Sequence, residues 1–231
     1  MIIGIHGVQG CGKSTLVKKL VQKNLSYEQI SIDDFYLPYN ELQNLDFEPL
    51  WRVRGNPGTH DFDLLIQVLY NFKQGVSSSV PIYDKTQQNG KGDRIGFRTL
   101  VPGNVLFIEG WCLGFQHQNL KKDDILYRID QCVEKYEAIH QSLDAFLILK
   151  PPNFPILDIV QHWREEAEDK ERKKGKCCMN KTEVSDFVQV YMPAYKMYLP
   201  TLYSNPPIHP TVVVELDTDR MATAAFFCDR R

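Results

Sequence analysis

The chain has 231 residues, 43% of them hydrophobic and 24% charged, an ordinary globular balance with enough apolar material for a sizeable core. Its 27 basic and 29 acidic residues leave a net charge of −2, which excludes recruitment of nucleic acid or an anionic membrane by a global field. No run approaches the roughly 18 apolar residues of a membrane span, and the apolar start is too short and uncharged for a signal peptide. The six cysteines (Cys11, Cys112, Cys132, Cys177, Cys178, Cys228) follow no metal spacing, so a cytoplasmic protein with reduced thiols is expected.

The first fifteen residues carry the strongest signal. An apolar run over residues 1–5 reads as a buried parallel strand, residues 7–14 fit G-x-x-x-x-G-K-[ST], and residues 16–21 continue with helical spacing. This is a P-loop in its required context. Gly7, Gly10 and Gly12 let backbone N–H groups turn inward around a phosphate, at a helix N-terminus that carries partial positive charge. Lys13 is expected to neutralise β- and γ-phosphates, Ser14 to offer its hydroxyl to Mg²⁺, and Cys11 and Thr15 to complete the nucleotide loop, so the expected cofactors are ATP and Mg²⁺. Cys11 stands near a lysine and a helix N-terminus, which would lower its pKa; it also fits as a small residue at a variable loop position.

Residues 29–32 read as a second strand with Asp33, Asp34, Phe35 and Tyr36 at its C-terminal end, where ligands gather in an open parallel sheet. Residues 37–60, rich in Pro, Gly, Asn and aromatics, read as a long functional loop. Residues 61–73 are predicted to form an amphipathic helix with Asp61 and Asp63 in its first turn, ended by Gly75. Residues 80–85 make a short extended piece, and 86–98 a polar excursion carrying Lys91, Arg94 and Arg98 after Lys85. Residues 105–108 form a buried strand closed by Glu109, the pattern of a Walker B strand.

Farther on, residues 123–143 read as mostly helical, 144–150 as a buried strand stopped by Pro151 and Pro152, and 156–176 as a highly charged helix whose charge run suits a solvated face. A helix over 182–199 carries an aromatic stripe, and 211–216 is the last expected strand. Strands and helices alternate without repeat or linker, which predicts an α/β, doubly wound, mainly parallel sheet in a single domain over residues 1–231.

Two carboxylate sites are candidates to face the γ-phosphate, on the expectation that both their strands flank the P-loop strand. Asp33 and Asp34 end one strand and Glu109 another. Phosphoryl transfer needs one carboxylate to accept the proton of the attacking hydroxyl and another to hold Mg²⁺ directly or through water. The alternative for Asp33 and Asp34 is N-capping of the next segment. Arg54, His60, Lys85 and Arg94 are the basic residues in loops inserted beside the presumed active site, with His60 alternatively a helix cap, and Phe35, Tyr36, Trp51 and Tyr83 are candidate pocket walls.

The pieces Ser31 to Tyr36, Arg54 to Asp61, Tyr83-Asp84-Lys85, Gly92-Asp93-Arg94, Glu109-Gly110-Trp111, Trp163-Arg164 and Tyr191 to Lys196 resemble the D-glycerate 3-kinase family nearly from end to end. More distantly, the chain is similar to uridine kinase, phosphoribulokinase and bacterial pantothenate kinase. The resemblance implies a five-stranded P-loop kinase sheet with a helical lid at about residues 153–181. By position it assigns the base to Asp33, the Walker B acid to Glu109 and the lid arginine to Arg164, making Lys13, Asp33, Glu109 and Arg164 the catalytic set and Ser14 and Glu109 the metal site. Asp34, Tyr36, Arg54, His60, Tyr83, Lys85 and Arg94 are then the substrate-binding candidates.

The chain departs from the family at Arg164-Glu165-Glu166 and at Lys176-Cys177-Cys178-Met179 in the lid. It begins at the first strand, so a function of the N-terminal extension found in many relatives is expected to be absent. The expected activity is ATP-dependent phosphorylation of D-glycerate to 3-phosphoglycerate. The alternatives are a nucleoside, pantothenate or sugar phosphate acceptor, or a nucleotide-binding regulatory protein without catalysis. Expected partners are the small substrate and ATP, with no nucleic acid or membrane, in a monomer or small homo-oligomer.

Overall fold

The computed structural model describes residues 1–45, 54–153, 155–173, 175 and 178–229. The expectations for Trp51, Lys176 and Cys177 lie outside the described residues. In chain order the elements are β1 (Ile2–Gly7), α1 (Lys13–Val21), β2 (Tyr27–Ser31), a 3₁₀ turn (Ile32–Phe35), α2 (Tyr39–Gln43), α3 (Phe62–Lys73), β3 (Ser78–Asp84), β4 (Asp93–Leu100) and β5 (Val105–Gly110). There follow α4 (Tyr127–Glu134), α5 (Tyr136–Ser142), β6 (Ala145–Lys150), α6 (Ile156–Arg172), α7 (Lys181–Gln189), α8 (Met192–Ser204), β7 (Thr211–Leu216) and β8 (Ala222–Cys228).

The main sheet has six strands in the order β2-β5-β1-β6-β7-β8. The first five run parallel, and β8 returns antiparallel along β7. Both faces are covered, so the central strands are apolar on both sides. Ile5, Val105 and Phe107 pack with Val17 of α1 on one face, while Ile2, Leu106, Ile108, Phe146 and Ile148 join the larger core on the other.

Three features differ from the sequence reading. The strand carrying Asp33 and Asp34 does not flank β1, because β5 occupies that position and β2 pairs outside it, with Ser31 in register with Glu109. The crossover from β1 to β2 thus skips one slot, which β5 later fills, and Asp33 and Asp34 start one strand farther out. The expected polar excursion contains β4, paired antiparallel with β3 as a separate ribbon. Its apolar residues Ile95 and Phe97 stay exposed, so no buried stripe marked it as a strand. Finally β7 is not the last strand; β8 lies on an edge with Phe226 and Phe227 largely exposed.

The helical regions break where the chain must turn. Residues 123–143 give α4 and α5, and the aromatic-striped helix divides into α7 and α8, the latter with proline in its first turn, where the missing N–H costs nothing. On α6, Ile159, Val160 and Trp163 are buried, and so is one member of the charge run, Glu168.

Candidate active site

The P-loop connects β1 to α1 across the C-terminal edge of the sheet. Gly12 is the N-cap of α1 with φ 99°, and Gly10 has φ 80°, both in the left-handed region that L side chains rarely adopt. A Cβ on Gly10 would also lie 2.7 Å from Cβ of Trp163, so α6 packs directly on the loop. Lys13 is buried, its Nζ donating to the Val8 carbonyl at 3.2 Å. Burial alone would lower the Lys13 pKa, but the negative potential of Cys11, Glu109 and Asp33 outweighs it and the net shift is upward. Ser14 and Thr15 open to solvent in the first turn of α1.

Ser14 Oγ donates to Glu109 Oε1 at 2.7 Å, which brings the P-loop hydroxyl and the acid at the end of β5 onto one point. Among the described residues no group of three or more His, Cys, Asp or Glu side chains could hold a metal ion. A hydroxyl with one carboxylate is the protein's share of a Mg²⁺ site completed by nucleotide phosphates and water, and these two residues fit that chemistry.

Cys11 does not have the lowered pKa that its position implied. The side chain is buried, and burial raises the pKa more than Lys13 lowers it. It is the small packed loop residue, its sulfur filling the space where a Cβ on Gly7 would go.

Asp33 and Asp34 do not continue β2, as extended geometry would require. Ser31 caps the 3₁₀ turn, its hydroxyl accepting from Asp33 N, and Asp34 Oδ2 accepts from Ser31 N at 3.0 Å in a reciprocal capping box. Asp34 is thereby a cap, and burial pushes its carboxyl up. Asp33 turns the other way. Lys85 Nζ pairs with its Oδ2 at 2.5 Å, and Tyr36 OH donates to its Oδ1 at 2.9 Å. Burial by itself would raise the Asp33 pKa, but Lys85, His60 and the Tyr36 hydroxyl together hold it well below the usual carboxylate range.

Tyr36 is buried and stacks on His60 with ring centroids 4.6 Å apart, while Tyr83 meets it edge-on at 5.1 Å. Burial pulls the His60 pKa down to about 4, so its ring is neutral at pH 7, and both ring nitrogens are buried without a hydrogen-bond partner. His60 is not the helix cap; Asp61 is, with its side chain accepting from Leu64 N. The Tyr83 hydroxyl is likewise buried and unpartnered, with its pKa pushed up to about 12 by burial. Phe35 is fully buried in the core behind this wall.

The structure separates the basic candidates. Arg94 donates through Nη2 to the Tyr36 carbonyl at 3.1 Å and pairs with Asp61 at 3.2 Å, fastening β4 to the 3₁₀ turn and the start of α3. Arg54 donates to the carbonyls of Gly90 and Lys91 in the β3–β4 turn. Lys85 remains, 54% exposed at the side chain, with Asp33 as its partner. Arg164 pairs with Glu168 on α6 and lies over the Phe187 ring at 5.1 Å. Its charge opposes the burial that raises the pKa of Tyr191, whose hydroxyl donates to the Arg54 carbonyl. Arg164 is thus tied along α6 by Glu168.

Two residues of this region carried no sequence signal. Glu168, inside the charge run, holds Arg164 and accepts from Met179 N at 3.0 Å. Arg220, in the turn between β7 and β8, donates from Nε to the Gly10 carbonyl at 2.7 Å. The turn residues Asp217 to Arg220 before an apolar run signal a hairpin, but nothing in them shows that the arginine returns to the P-loop.

Residues 2–134 match the phosphoribulokinase / uridine kinase family. The chain is 34% identical to the chloroplastic D-glycerate 3-kinase of Arabidopsis thaliana over 95% of its own length, and spans about half, 52%, of that protein. It is 32% identical to the uncharacterized kinase mug58 of Schizosaccharomyces pombe, covering 95% of this chain and 88% of that one. Among solved structures, D-glycerate 3-kinase from Cryptococcus neoformans superposes with a TM-score of 0.86 at 25% identity, over 99% of this chain and 89% of the other. With its P-loop joined to the Glu109 strand as in a phosphoryl-transfer site, the chain belongs to the phosphoribulokinase / uridine kinase family of ATP-dependent P-loop kinases.

Proposed function

We propose that the protein transfers the γ-phosphoryl group of ATP to a primary hydroxyl of a small hydroxy acid, D-glycerate, giving 3-phosphoglycerate. The observation that carries this reading is the Asp33–Lys85 pair, a carboxylate base whose counter-ion is an exposed lysine, set against the Tyr36, His60 and Tyr83 wall. A carboxylate acceptor competes with Asp33 for Lys85. Binding it releases Asp33 to take the proton of the attacking hydroxyl, whereas a neutral acceptor leaves the base masked. The relatives named D-glycerate 3-kinase support the same acceptor.

The remaining residues divide the other work. Lys13 meets the charge growing on the transferring phosphoryl group, and Arg164, once it leaves Glu168, adds the lid cation. Ser14 and Glu109 would hold Mg²⁺, which when bound neutralises the β- and γ-phosphates. His60 and the Tyr83 hydroxyl offer unpartnered polar atoms for the acceptor's second hydroxyl, and the aromatic wall excludes water that would otherwise receive the phosphoryl group. The domain and its lid over residues 153–181 belong to this proposal, as does the cytoplasmic location; the plant relative is named chloroplastic, and imaging of the tagged native chain decides the location.

The test is an ATP-consumption screen over D-glycerate, L-glycerate, nucleosides, pantothenate and sugar phosphates, with Asp33→Asn as the blank. D-glycerate is expected to give the highest kcat/KM, with phosphate on its primary hydroxyl by NMR. A nucleoside as the preferred acceptor would overturn the assignment.

A further inference from the structure

Arg220 stands in none of the roles assigned so far, yet its guanidinium joins two separate segments, the P-loop and α6, through three contacts. Nε donates to the Gly10 carbonyl of the P-loop at 2.7 Å, Nη1 pairs with Glu166 of α6 at 2.6 Å, and Nη2 donates to the Trp163 carbonyl at 3.4 Å. Its charged carbon lies 5.2 Å from the centre of the Trp163 ring. All three guanidinium nitrogens are engaged, and the side chain is only 20% exposed.

The turn that delivers Arg220 is built to aim it. Asp217 receives hydrogen bonds on one carboxylate oxygen from the backbones of Asp219, at 2.9 Å, and Met221, at 2.8 Å, while its own carbonyl accepts from Arg220 N at 3.1 Å. Arg220 itself holds φ 67°, uncommon for a residue with a side chain and retained here by that bonding. Trp163 Nε1 donates to the Thr218 carbonyl at 2.7 Å, so turn and helix are bonded a second time.

We infer that Arg220 is a positioning residue for ATP: it sets the register of α6 against the phosphate loop and fixes the Gly10 peptide before nucleotide arrives. Holding the Gly10 carbonyl outward orients the peptide planes from which the loop offers its N–H groups, so less ordering remains at the moment of binding. The planar fork is essential to this role, since a lysine at the same place supplies charge but cannot hold the Gly10 carbonyl, the Trp163 carbonyl and Glu166 together. The Glu166 carboxylate, held below its usual pKa chiefly by the Arg220 hydrogen bond, is the anchor on the lid side.

The inference rests on nucleotide binding and not on the acceptor, so it is tested without one. The dissociation constant for ATP with Mg²⁺ is measured by titration calorimetry for the wild type, Arg220→Ala, Arg220→Lys, Glu166→Gln and the Arg220→Ala/Glu166→Gln double variant, with melting temperatures alongside. Arg220→Ala should weaken ATP about tenfold, the loss expected for charge-assisted hydrogen bonds. Arg220→Lys should recover little of this, and Glu166→Gln should weaken ATP about threefold. In the double variant the losses should not multiply, because both break one clamp. Glu166 is a half-exposed surface side chain, so its variant folds and keeps the test decisive if Arg220→Ala does not fold. Full recovery by Arg220→Lys, unchanged affinity in Glu166→Gln, or independent multiplying losses would each overturn the inference.

Discussion

Adjacent aspartates at the end of β2 have different work, and the division follows from one hydrogen bond. Asp34 is occupied by Ser31 N, whereas Asp33 projects to Lys85 and Tyr36. Asp33→Asn is accordingly expected to cut kcat by roughly 10²–10⁴, the usual worth of a general base, with ATP affinity within severalfold of the wild type. Asp34→Asn should leave kcat nearly unchanged and cost about 1 kcal/mol of stability through the weakened cap, read by chemical denaturation. If Asp34→Asn damaged turnover more, the two roles would be reversed. Lys85 supplies a pH test. It lowers the Asp33 pKa against burial, so Lys85→Ala must move that pKa upward and shift the acid limb of kcat/KM to higher pH. An unmoved acid limb would show that Asp33 is not the group titrating there.

Individual elements were legible in proportion to how much of their pattern faces the core. The strand, loop and helix around Gly7 to Ser14 were readable because glycine spacing and buried periodicity agree. The 3₁₀ turn was not, because its cause is a reciprocal Ser31–Asp34 bond that looks in sequence like two acids ending a strand. Strand β4 was hidden by Ile95 and Phe97, which face solvent, and β8 by an edge position that leaves most of its residues exposed. At the site, Lys13, Ser14 and Glu109 could be placed from spacing alone. The four basic candidates could not be ranked, since whether an arginine is already committed to Tyr36, Gly90 or Lys91 depends on contacts distant in the chain. The hairpin β3–β4 now makes a testable unit. Arg94, the residue fastening it, is 13% exposed and bonded to Asp61 and the Tyr36 carbonyl. Arg94→Ala should cost about 1–3 kcal/mol and raise KM for the acceptor more than KM for ATP, because the segment it releases carries Lys85 and not the phosphate loop. Equal changes in both constants would place Arg94 elsewhere in the mechanism.

For the molecule as a whole, three histidines tie stability to pH. Burial holds His6 down at about 3 and His60 and His140 at about 4, each below the 6.5 of an exposed ring. The unfolded chain therefore binds more protons than the folded one between those values, so stability is complete above about pH 6.5 and falls as the medium is acidified. At pH 5 the loss amounts to up to about 2 kcal/mol per histidine, and urea denaturation at pH 7.5 and pH 5 should show it. His140→Gln should flatten the dependence by about a third. A pH-independent midpoint would mean that these rings are solvated. Metal acts differently: chelation should abolish turnover without moving the melting temperature, since among the described residues no side-chain cluster forms a structural cage. Unfolding on chelation would reveal one.

The contact between Gly10 and Arg220 spans 210 positions of sequence. During synthesis the phosphate loop emerges 210 residues before its clamp, so the nucleotide site waits for everything between them. A ribosome-bound chain stalled before the β7–β8 turn can bury much of its core yet lacks the tie between α6 and the loop. ATP should therefore select chains extended past the β7–β8 turn over shorter nascent ones, and help to trap the docking of that hairpin as the folded state.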